Sequence, residues 1–470
     1  MMCTRFFRWL PRPRDNWAWR DTPPSTTNGG GRTAWGPSLV ALALVGIFST
    51  LAPAAGGPVE RPNFLLIMAD DVGREVLGCY GGSSYQTPQL DALAAGGIRF
   101  RHCYSMPVCH PTRLALMTGR YPFRNPAGWG SWPSGVTTFA QILKQSGYAT
   151  AVAGKWQLTL MKRQPDHARQ LGFDQSALFG WHEGPRYHNP MIYRNGVVWE
   201  EMQRPEVYGP DVYVDFLIDF MTKNRDRPFL AYYPMALCHE ISDDFLPVPP
   251  PAPDGHYVTY AEMVADMDER VGRLVAALDR LGLRRKTIVL FTTDNGSPRS
   301  YLTHIEHRDG KVVRHHAPVV SLLDGRPVRG GKGSMNDLGT RVPLIANWPG
   351  TTPAGRVLDD LVDFTDFLPT LAELAGAPLP EGLQIDGHSF APQILGRPGK
   401  PRGWVFCEHR GRRWVRTQRW KLYDDGRLFD MEADPEEKKP VAAQTQTAEA
   451  AAARQQLQQA FDQLIGHGSQ

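Results

Sequence analysis

Four short apolar runs constrain the fold more than any other feature of this sequence. Residues 63–68 (NFLLIM), 149–153 (ATAVA), 229–233 (FLAYY) and 287–291 (TIVLF) carry no charge and are only five or six residues long. Runs of this length without polar interruption read as strands buried on both faces. Each leads into residues capable of chemistry: Asp70-Asp71, Gly154-Lys155, His239, and Asp294-Asn295-Gly296. Helical patterns alternate with them. Tyr260, Met263, Val264, Met267, Val271, Leu274, Val275 and Leu278 recur with a period near 3.6, and Gly282 closes the run. Alternating strands and helices predict an α/β domain, and in open α/β sheets ligands bind beyond the carboxyl ends of the strands.

Charge narrows the function. The 470 residues carry a net charge of +4, and that excess lies in residues 1–54, which hold six Arg, no Lys and two Asp. The remainder is balanced, which argues against a nucleic-acid binder. Residues 39–51 (LVALALVGIFSTL) form an uncharged apolar stretch of 13, followed by Ala52-Pro53-Ala54. That is the length of a signal-peptide core with a small-residue cleavage site, and shorter than the roughly 20 residues of a spanning helix. The expectation is an exported protein, periplasmic or secreted, with a signal in 1–54 and an uncleaved anchor as the alternative. No later run is long and apolar enough to predict a stable membrane span. The cysteines Cys3, Cys79, Cys103, Cys109, Cys238 and Cys407 are spaced as neither a zinc site nor a disulfide framework.

The proline- and glycine-rich stretch 395–403 (LGRPGKPRG) marks a change in character. Beyond it come short strand-like runs at 404–408, 414–417 and 420–423, a turn at Asp424-Asp425-Gly426, and a final helix marked by Leu457, Phe461 and Leu464. The expected organisation is a catalytic domain over 55–395 and a small C-terminal α+β subdomain over 396–470.

Chemistry concentrates around residues 109–120 (CHPTRLALMTGR). The apolar spacing after Pro111 predicts a helix with Cys109 at its N-terminus, where backbone N–H groups favour anions and activate a thiol. On these residues alone Cys109 is compatible with either a buried structural thiol or a nucleophile. Asp70-Asp71 and Asp294-Asn295-Gly296 are likewise compatible with plain strand-end turns.

Taken together, the motifs resemble the type I, formylglycine-dependent sulfatases of the alkaline-phosphatase superfamily. The signature C-x-P-S/T-R followed by T-G-R matches residues 109–120. Asp70-Asp71, Gly154-Lys155-Trp156, Asp294-Asn295-Gly296, Arg329-Gly330-Gly331-Lys332-Gly333, Arg341-Val342-Pro343, residues 362–370 (VDFTDFLPT) and Asp386-Gly387 follow in the family's order. The resemblance covers about residues 61–435 and implies an alkaline-phosphatase-like α/β fold, a large mixed β-sheet sandwiched by helices, and hydrolysis of a sulfate ester.

It further implies that Cys109 is converted to formylglycine by a maturation enzyme, and that Asp70, Asp71, Asp294 and Asn295, with the residue at 109, hold a divalent metal. Oxygen ligands suit Ca2+, with Mg2+ the lesser alternative. By the same resemblance Arg113 contacts the nucleophile or its metal, Lys155 and Lys332 hold sulfate oxygens, and His239 donates a proton to the leaving alcohol. Two departures stand out. Gln157 replaces the usual His after G-K-W, and an amide can hydrogen-bond but cannot carry a proton at neutral pH. Cys238-His239-Glu240 replaces the usual Pro-His pattern.

A phosphoester or phosphonate hydrolase of the same fold is the neighbouring alternative, because both substrates are tetrahedral oxyanions. A non-catalytic binder of sulfated glycans is the alternative from another class. The expected partner is a sulfated small molecule or glycan. Trp181, His182, Glu183, Arg186, Tyr187 and His188, with Trp404, His409, Arg410, Arg412 and Arg413, are candidates for an outer pocket. Aromatics and cations there would suit a sulfated sugar by stacking and ion pairing.

Overall fold

The run at 63–68 becomes β1, Asn63–Ala69, buried along its whole length in the computed structural model. The structure describes residues 61–466, apart from 125–126, 181–182, 241–247 and 249–250. The predicted signal segment lies outside the described residues, as do Trp181 and His182. The other apolar runs are also strands of the same sheet: β3 (Ala149–Lys155), β7 (Phe229–Pro234) and β8 (Thr287–Thr293).

That sheet is completed by β2 (Ile98–Tyr104), β4 (Gln175–Phe179), β5 (Ile192–Arg194), β6 (Val197–Val198), β13 (Arg341–Asn347) and β14 (Arg356–Asp363), giving ten strands in the order β14-β2-β13-β8-β1-β7-β3-β4-β5-β6. The centre is parallel, with β1 between β7 and β8. β13 runs antiparallel to both β8 and β2, so the sheet is mixed. The alternation of side chains along β1 explains why it carries no polar face. Phe64, Leu66 and Met68 join a core that includes Leu114 and Leu116 of the helix Cys109–Thr118. Leu65, Ile67 and Ala69 join the opposite core with Val214 and Leu217 of the helix Gly209–Lys223 and Val264 and Val271 of the helix Tyr260–Arg280.

The helix Tyr260–Arg280 begins with a capping box, in which Thr259 and Glu262 satisfy one another's backbone N–H groups. It ends before Gly282, whose φ of 68° is the left-handed conformation that closes helices. Of the eight apolar positions predicted from its periodicity, seven are buried and Val275 is packed at the margin of the core.

Two hairpins of residues 300–329 were not anticipated: β9 (Ser300–Arg308) with β10 (Lys311–Pro318), and β11 (Val320–Leu323) with β12 (Arg326–Arg329). After residue 395 the chain builds β15 (Val405–His409), β16 (Arg412–Arg416), β17 (Trp420–Tyr423) and β18 (Leu428–Asp430), an antiparallel sheet in sequential order. The helix Ala448–Gly466 lays Ala450, Ala453, Leu457, Ala460, Phe461 and Leu464 against it. The sequence suggested a merely solvated helix over the Ala/Gln-rich stretch 442–460. One face of it is instead core, because alanines at helical spacing allow close packing on Trp414 and Leu422. Arg402 fastens this part of the chain to the residues before 395. It is buried and donates to both carboxylate oxygens of Asp366, at 3.0 and 2.6 Å, and to the hydroxyl of Tyr121. Among the described residues no helix is long and apolar enough to cross a membrane, and Cys79, Cys103, Cys109, Cys238 and Cys407 are free thiols.

Candidate active site

Parallel register assembles the site. Ala69 at the end of β1 pairs with Thr293 at the end of β8, so Asp70-Asp71 and Asp294-Asn295 leave neighbouring strands at one level. Lys155 ends β3. Beyond β7 the chain is pinned to the same edge, because the N–H of Asp70 donates to Leu237 O (2.7 Å) and that of Cys238 to Asp70 O (2.6 Å). This places His239 beside the carboxylates. Glycine permits two of the approaches. A Cβ on Gly154 would lie 2.0 Å from Pro234 O, and one on Gly331 would lie 2.2 Å from the backbone of Leu338. The second contact carries the loop that delivers Lys332.

Cys109 is the first residue of the helix Cys109–Thr118, as its spacing predicts. Thr112 Oγ1 donates to the carbonyls of Met106 and Val108, both at 3.0 Å, and fixes the entry to that helix. The thiol Sγ lies 3.3 Å from Asp70 Oδ1, 3.8 Å from Asp71 Oδ1 and 3.6 Å from Lys155 Nζ. Burial, with Asp294 and Asp70 alongside, pushes this thiol well above its ordinary range. The activation expected from the helix N-terminus is therefore overridden, because desolvation and two carboxylates both oppose a thiolate.

Three carboxylates and three cations interleave around the thiol. Lys155 pairs with Asp70, Lys332 Nζ lies 2.6 Å from Asp71 Oδ2, and Arg113 Nη2 lies 2.8 Å from Asp294 Oδ2. The second Arg113 amino group donates to Lys155 O at 3.1 Å. Arg113 thus reaches Asp294 and the backbone of Lys155 rather than the sulfur. Burial favours neutral carboxyls, but Lys155, Arg113 and Lys332 hold Asp70 well below the usual carboxylate range. Burial and the Asp70 charge raise Asp294 to about 7, and burial also raises Asp71 despite Lys332. Three carboxylates this close do not all ionise readily without further positive charge.

The donor set fits a hard cation. Oxygens of Asp70, Asp71 and Asp294 and the sulfur of Cys109 lie within 4.8 Å of one another and all four residues are buried. Asn295 points the same way. Its amide nitrogen donates to Asp71 Oδ1 (2.8 Å), whereas its buried Oδ1 has no hydrogen-bond partner. A buried amide oxygen without a partner is costly unless something accepts its lone pairs.

His239 Nε2 lies 3.8 Å from Asp71 Oδ2, and Arg186 Nη1 lies 2.7 Å from His239 Nδ1. Burial, with Lys332, Lys155 and Arg186 nearby, holds the imidazole well below its usual range, so it is neutral. Gln157 is buried two residues beyond Lys155, at φ 53°, with Oε1 unpartnered. Its side chain makes no hydrogen bond to the thiol or the carboxylates.

Of the outer-pocket candidates, Arg186 and Tyr187 belong to this site. The Tyr187 hydroxyl reaches Ala236 O and His239 O, at 2.8 and 2.7 Å. Glu183 is engaged by Tyr193, His188 packs on Tyr208 and Trp404 lies against Arg402. Arg412 and Arg413 pair with Asp425 and Glu408. His409 and Arg410 line a cavity with His110 and Trp129. Sequence reasoning missed Tyr260, whose hydroxyl donates to Asp71 O at 2.9 Å. A tyrosine within an apolar helical stripe was the available signal, since a buried hydroxyl needs a partner.

A family model described as sulfatase matches residues 62–377, and one described as the C-terminal part of N-sulphoglucosamine sulphohydrolase matches 331–465. The chain belongs to the sulfatase family. It is 35% identical to arylsulfatase A of Bos taurus, over 82% of this chain and 80% of that protein. It is 32% identical to steryl-sulfatase of Mus musculus, over 76% and 69%. A solved protein in complex with its substrate D-glucosamine-2-N,6-O-disulfate shares the fold, with a TM-score of 0.64 and 21% identity over 87% of this chain and 99% of that one. This sulfatase is accordingly a sulfuric ester hydrolase of alkaline-phosphatase-like fold.

Proposed function

We propose that this sulfatase is exported and removes sulfate from a carbohydrate ester, using Cys109 after its conversion to formylglycine by a maturation enzyme. The observation that carries the reading is the buried Cys109 thiol, within 3.3 Å of Asp70 and 3.6 Å of Lys155. A thiol pushed upward by burial is a poor nucleophile at neutral pH. Formylglycine hydrate would instead supply two hydroxyls on one carbon, one to take the sulfuryl group and one to release it.

Asp70, Asp71, Asp294 and Asn295 Oδ1 would hold Ca2+, for which Mg2+ is the lesser alternative. A bound divalent ion would supply fixed positive charge against the sulfate oxygens. Lys155 and Lys332 add positive charge aimed at the same place, and Arg113 holds Asp294 in position. Arg186 can only donate, and its 2.7 Å contact with Nδ1 of the neutral His239 is shorter than the 3.0 Å from that nitrogen to Glu240 O, so Nδ1 accepts from Arg186 and Nε2 carries the proton. That proton is the one placed to reach a departing alkoxide.

We assign the chemistry to residues 55–395 and part of the substrate surface to 396–470. The carbohydrate reading is supported by the match of 331–465 to a model named for a sulfated amino sugar, and export by the composition of residues 1–54. The test combines mass spectrometry of the peptide containing residue 109 with turnover of an aryl sulfate. Aldehyde at 109 that rises in proportion to activity is expected. Full activity with an entirely unmodified thiol would sink the mechanism. Faster turnover of a phosphonate monoester than of any sulfate ester would favour the neighbouring hydrolase class.

A further inference from the structure

A cavity of about 440 Å³ lies against the N-terminal turn of the helix Cys109–Thr118. Its walls include Val108 and His110, the two chain neighbours of Cys109, together with Trp129, Glu408, His409 and Arg410. The cavity is therefore lined by the residues on both sides of Cys109 in the chain, whereas Cys109 itself faces the carboxylates.

Two features of its walls indicate what it takes. Trp129 is 54% exposed, and its ring lies 5.5 Å from the buried imidazole of His110, which holds it as a plate at the cavity wall. A half-exposed indole offers an apolar face to a flat, partly apolar ring such as a pyranose. Arg410 supplies charge. Its neighbours are paired, Arg412 with Asp425 and Arg413 with Glu408, whereas Arg410 pairs with no carboxylate among the described residues. Glu408 is engaged by Arg413 and is not available to it.

The turn that presents Arg410 is unusual within this molecule. Four hairpins are closed by two residues that both have positive φ: Asn195-Gly196, Asp309-Gly310, Asp324-Gly325 and Arg410-Gly411. Turns of that kind favour Asn or Asp at the first position, where a long side chain is disfavoured. Three of the four conform. The fourth places an arginine there, at φ 51°, and that arginine lines the cavity.

We infer that this cavity is a subsite for a second anionic group on a sugar, with Trp129 stacking on the ring and Arg410 pairing with a sulfate or carboxylate beyond the scissile ester. The inference rests on the reading of Cys109 as the reacting residue, and it narrows the substrate to carbohydrates that carry more than one negative charge.

The test reads binding without turnover, by calorimetry on the Ca2+-loaded Cys109→Ala protein. The probes are an N-acetylglucosamine monosulfate, a doubly sulfated glucosamine, and a disaccharide joining a uronate to the monosulfate. In the Arg410→Asn background the turn gains its preferred residue, so the fold is retained. The doubly charged probes should then weaken about tenfold or more and the singly charged one by no more than about twofold. Whether the disulfate or the uronate probe loses more identifies the anion. Trp129→Ala should weaken all three and Trp129→Phe should restore most of the loss. Unchanged affinity of both doubly charged probes in Arg410→Asn would overturn the subsite. Because no catalysis is involved, this outcome is separate from a failure of the mature enzyme to hydrolyse sulfate esters.

Discussion

Nη1 of Arg186 lies 2.7 Å from Nδ1 of His239, and the same nitrogen lies 3.0 Å from Glu240 O, so a donor and an acceptor compete for it. Guanidinium has no acceptor, and its charged donor makes the shorter contact, which favours Nε2 as the protonated atom facing Asp71. Arg186→Ala should release the tautomer and ring orientation together. A charge-assisted hydrogen bond of this kind contributes about 1.5–3 kcal/mol, so turnover of an aryl sulfate should fall roughly 10- to 150-fold. Arg186→Lys keeps a donor and should recover part of the loss. Wild-type turnover in Arg186→Ala would remove His239 from the proton path.

That pair also marks where reading the sequence stops. Asp70, Asp71, Lys155, Asp294 and Asn295 were legible because uncharged runs too short for helices end at them, and parallel register brings such ends together. Arg186 follows β4, on a stretch without periodicity, and meets His239 only through tertiary packing 53 residues away in the chain. The hairpin β9–β10 was missed for a different reason. Its positions are mostly half-buried or exposed, with Leu302 alone fully buried, so no apolar alternation is imposed on its sequence. Its Asp309-Gly310 turn was nevertheless a legible signal. The conformation of Gln157 had no signal at all, since nothing in a glutamine announces positive φ.

Asp294 serves two partners, and its removal should be read in two ways. It accepts from Arg113, which is buried, and from the N–H of Asp71 at 3.1 Å. Asp294→Ala leaves the buried guanidinium with only the more distant Asp70, 3.9 Å away, at a cost of up to about 3–5 kcal/mol in urea unfolding. Calorimetric titration of the chelated protein with Ca2+ should lose its heat in the same variant. A wild-type Ca2+ isotherm in Asp294→Ala would exclude this carboxylate as a ligand.

Gln157 separates stability from activity. Its Oε1 is buried without a partner, and its backbone is left-handed. The amide oxygen is itself a stranded polar group. Gln157→Leu should therefore leave stability unchanged or raise it by about 1 kcal/mol. If the amide positions substrate, kcat should fall about 5- to 150-fold, equivalent to roughly 1–3 kcal/mol expressed in the transition state. Paired urea unfolding and kinetics of one preparation make the comparison. A loss of stability with unchanged kcat would assign Gln157 a purely structural role.

His167 provides a pH dependence remote from the carboxylates. Its Nδ1 accepts from the Trp156 indole N–H at 3.0 Å, so the neutral ring carries its proton on Nε2, which is buried without a partner. Burial lowers this imidazole from 6.5 to about 4. The sign follows from proton uptake. Above pH 6.5 both folded and unfolded rings are neutral, and the Trp156 contact contributes fully. As pH falls from 6.5 towards 4 the unfolded chain takes a proton that the fold refuses, so stability declines. Below about 4 both states are protonated and this contribution to the slope ends. His167→Asn keeps an acceptor near the position of Nδ1 and removes the titration. Unfolding in urea, followed by tryptophan fluorescence, should show wild type losing about 1–3 kcal/mol more than the variant between about pH 7.5 and about pH 4.5. The other histidines that burial lowers, among them His102, His110 and His239, are present in both proteins and cancel in that difference. Parallel stability curves for the two proteins would show that His167 titrates alike in the folded and unfolded chain, and that the Trp156 hydrogen bond does not hold it neutral.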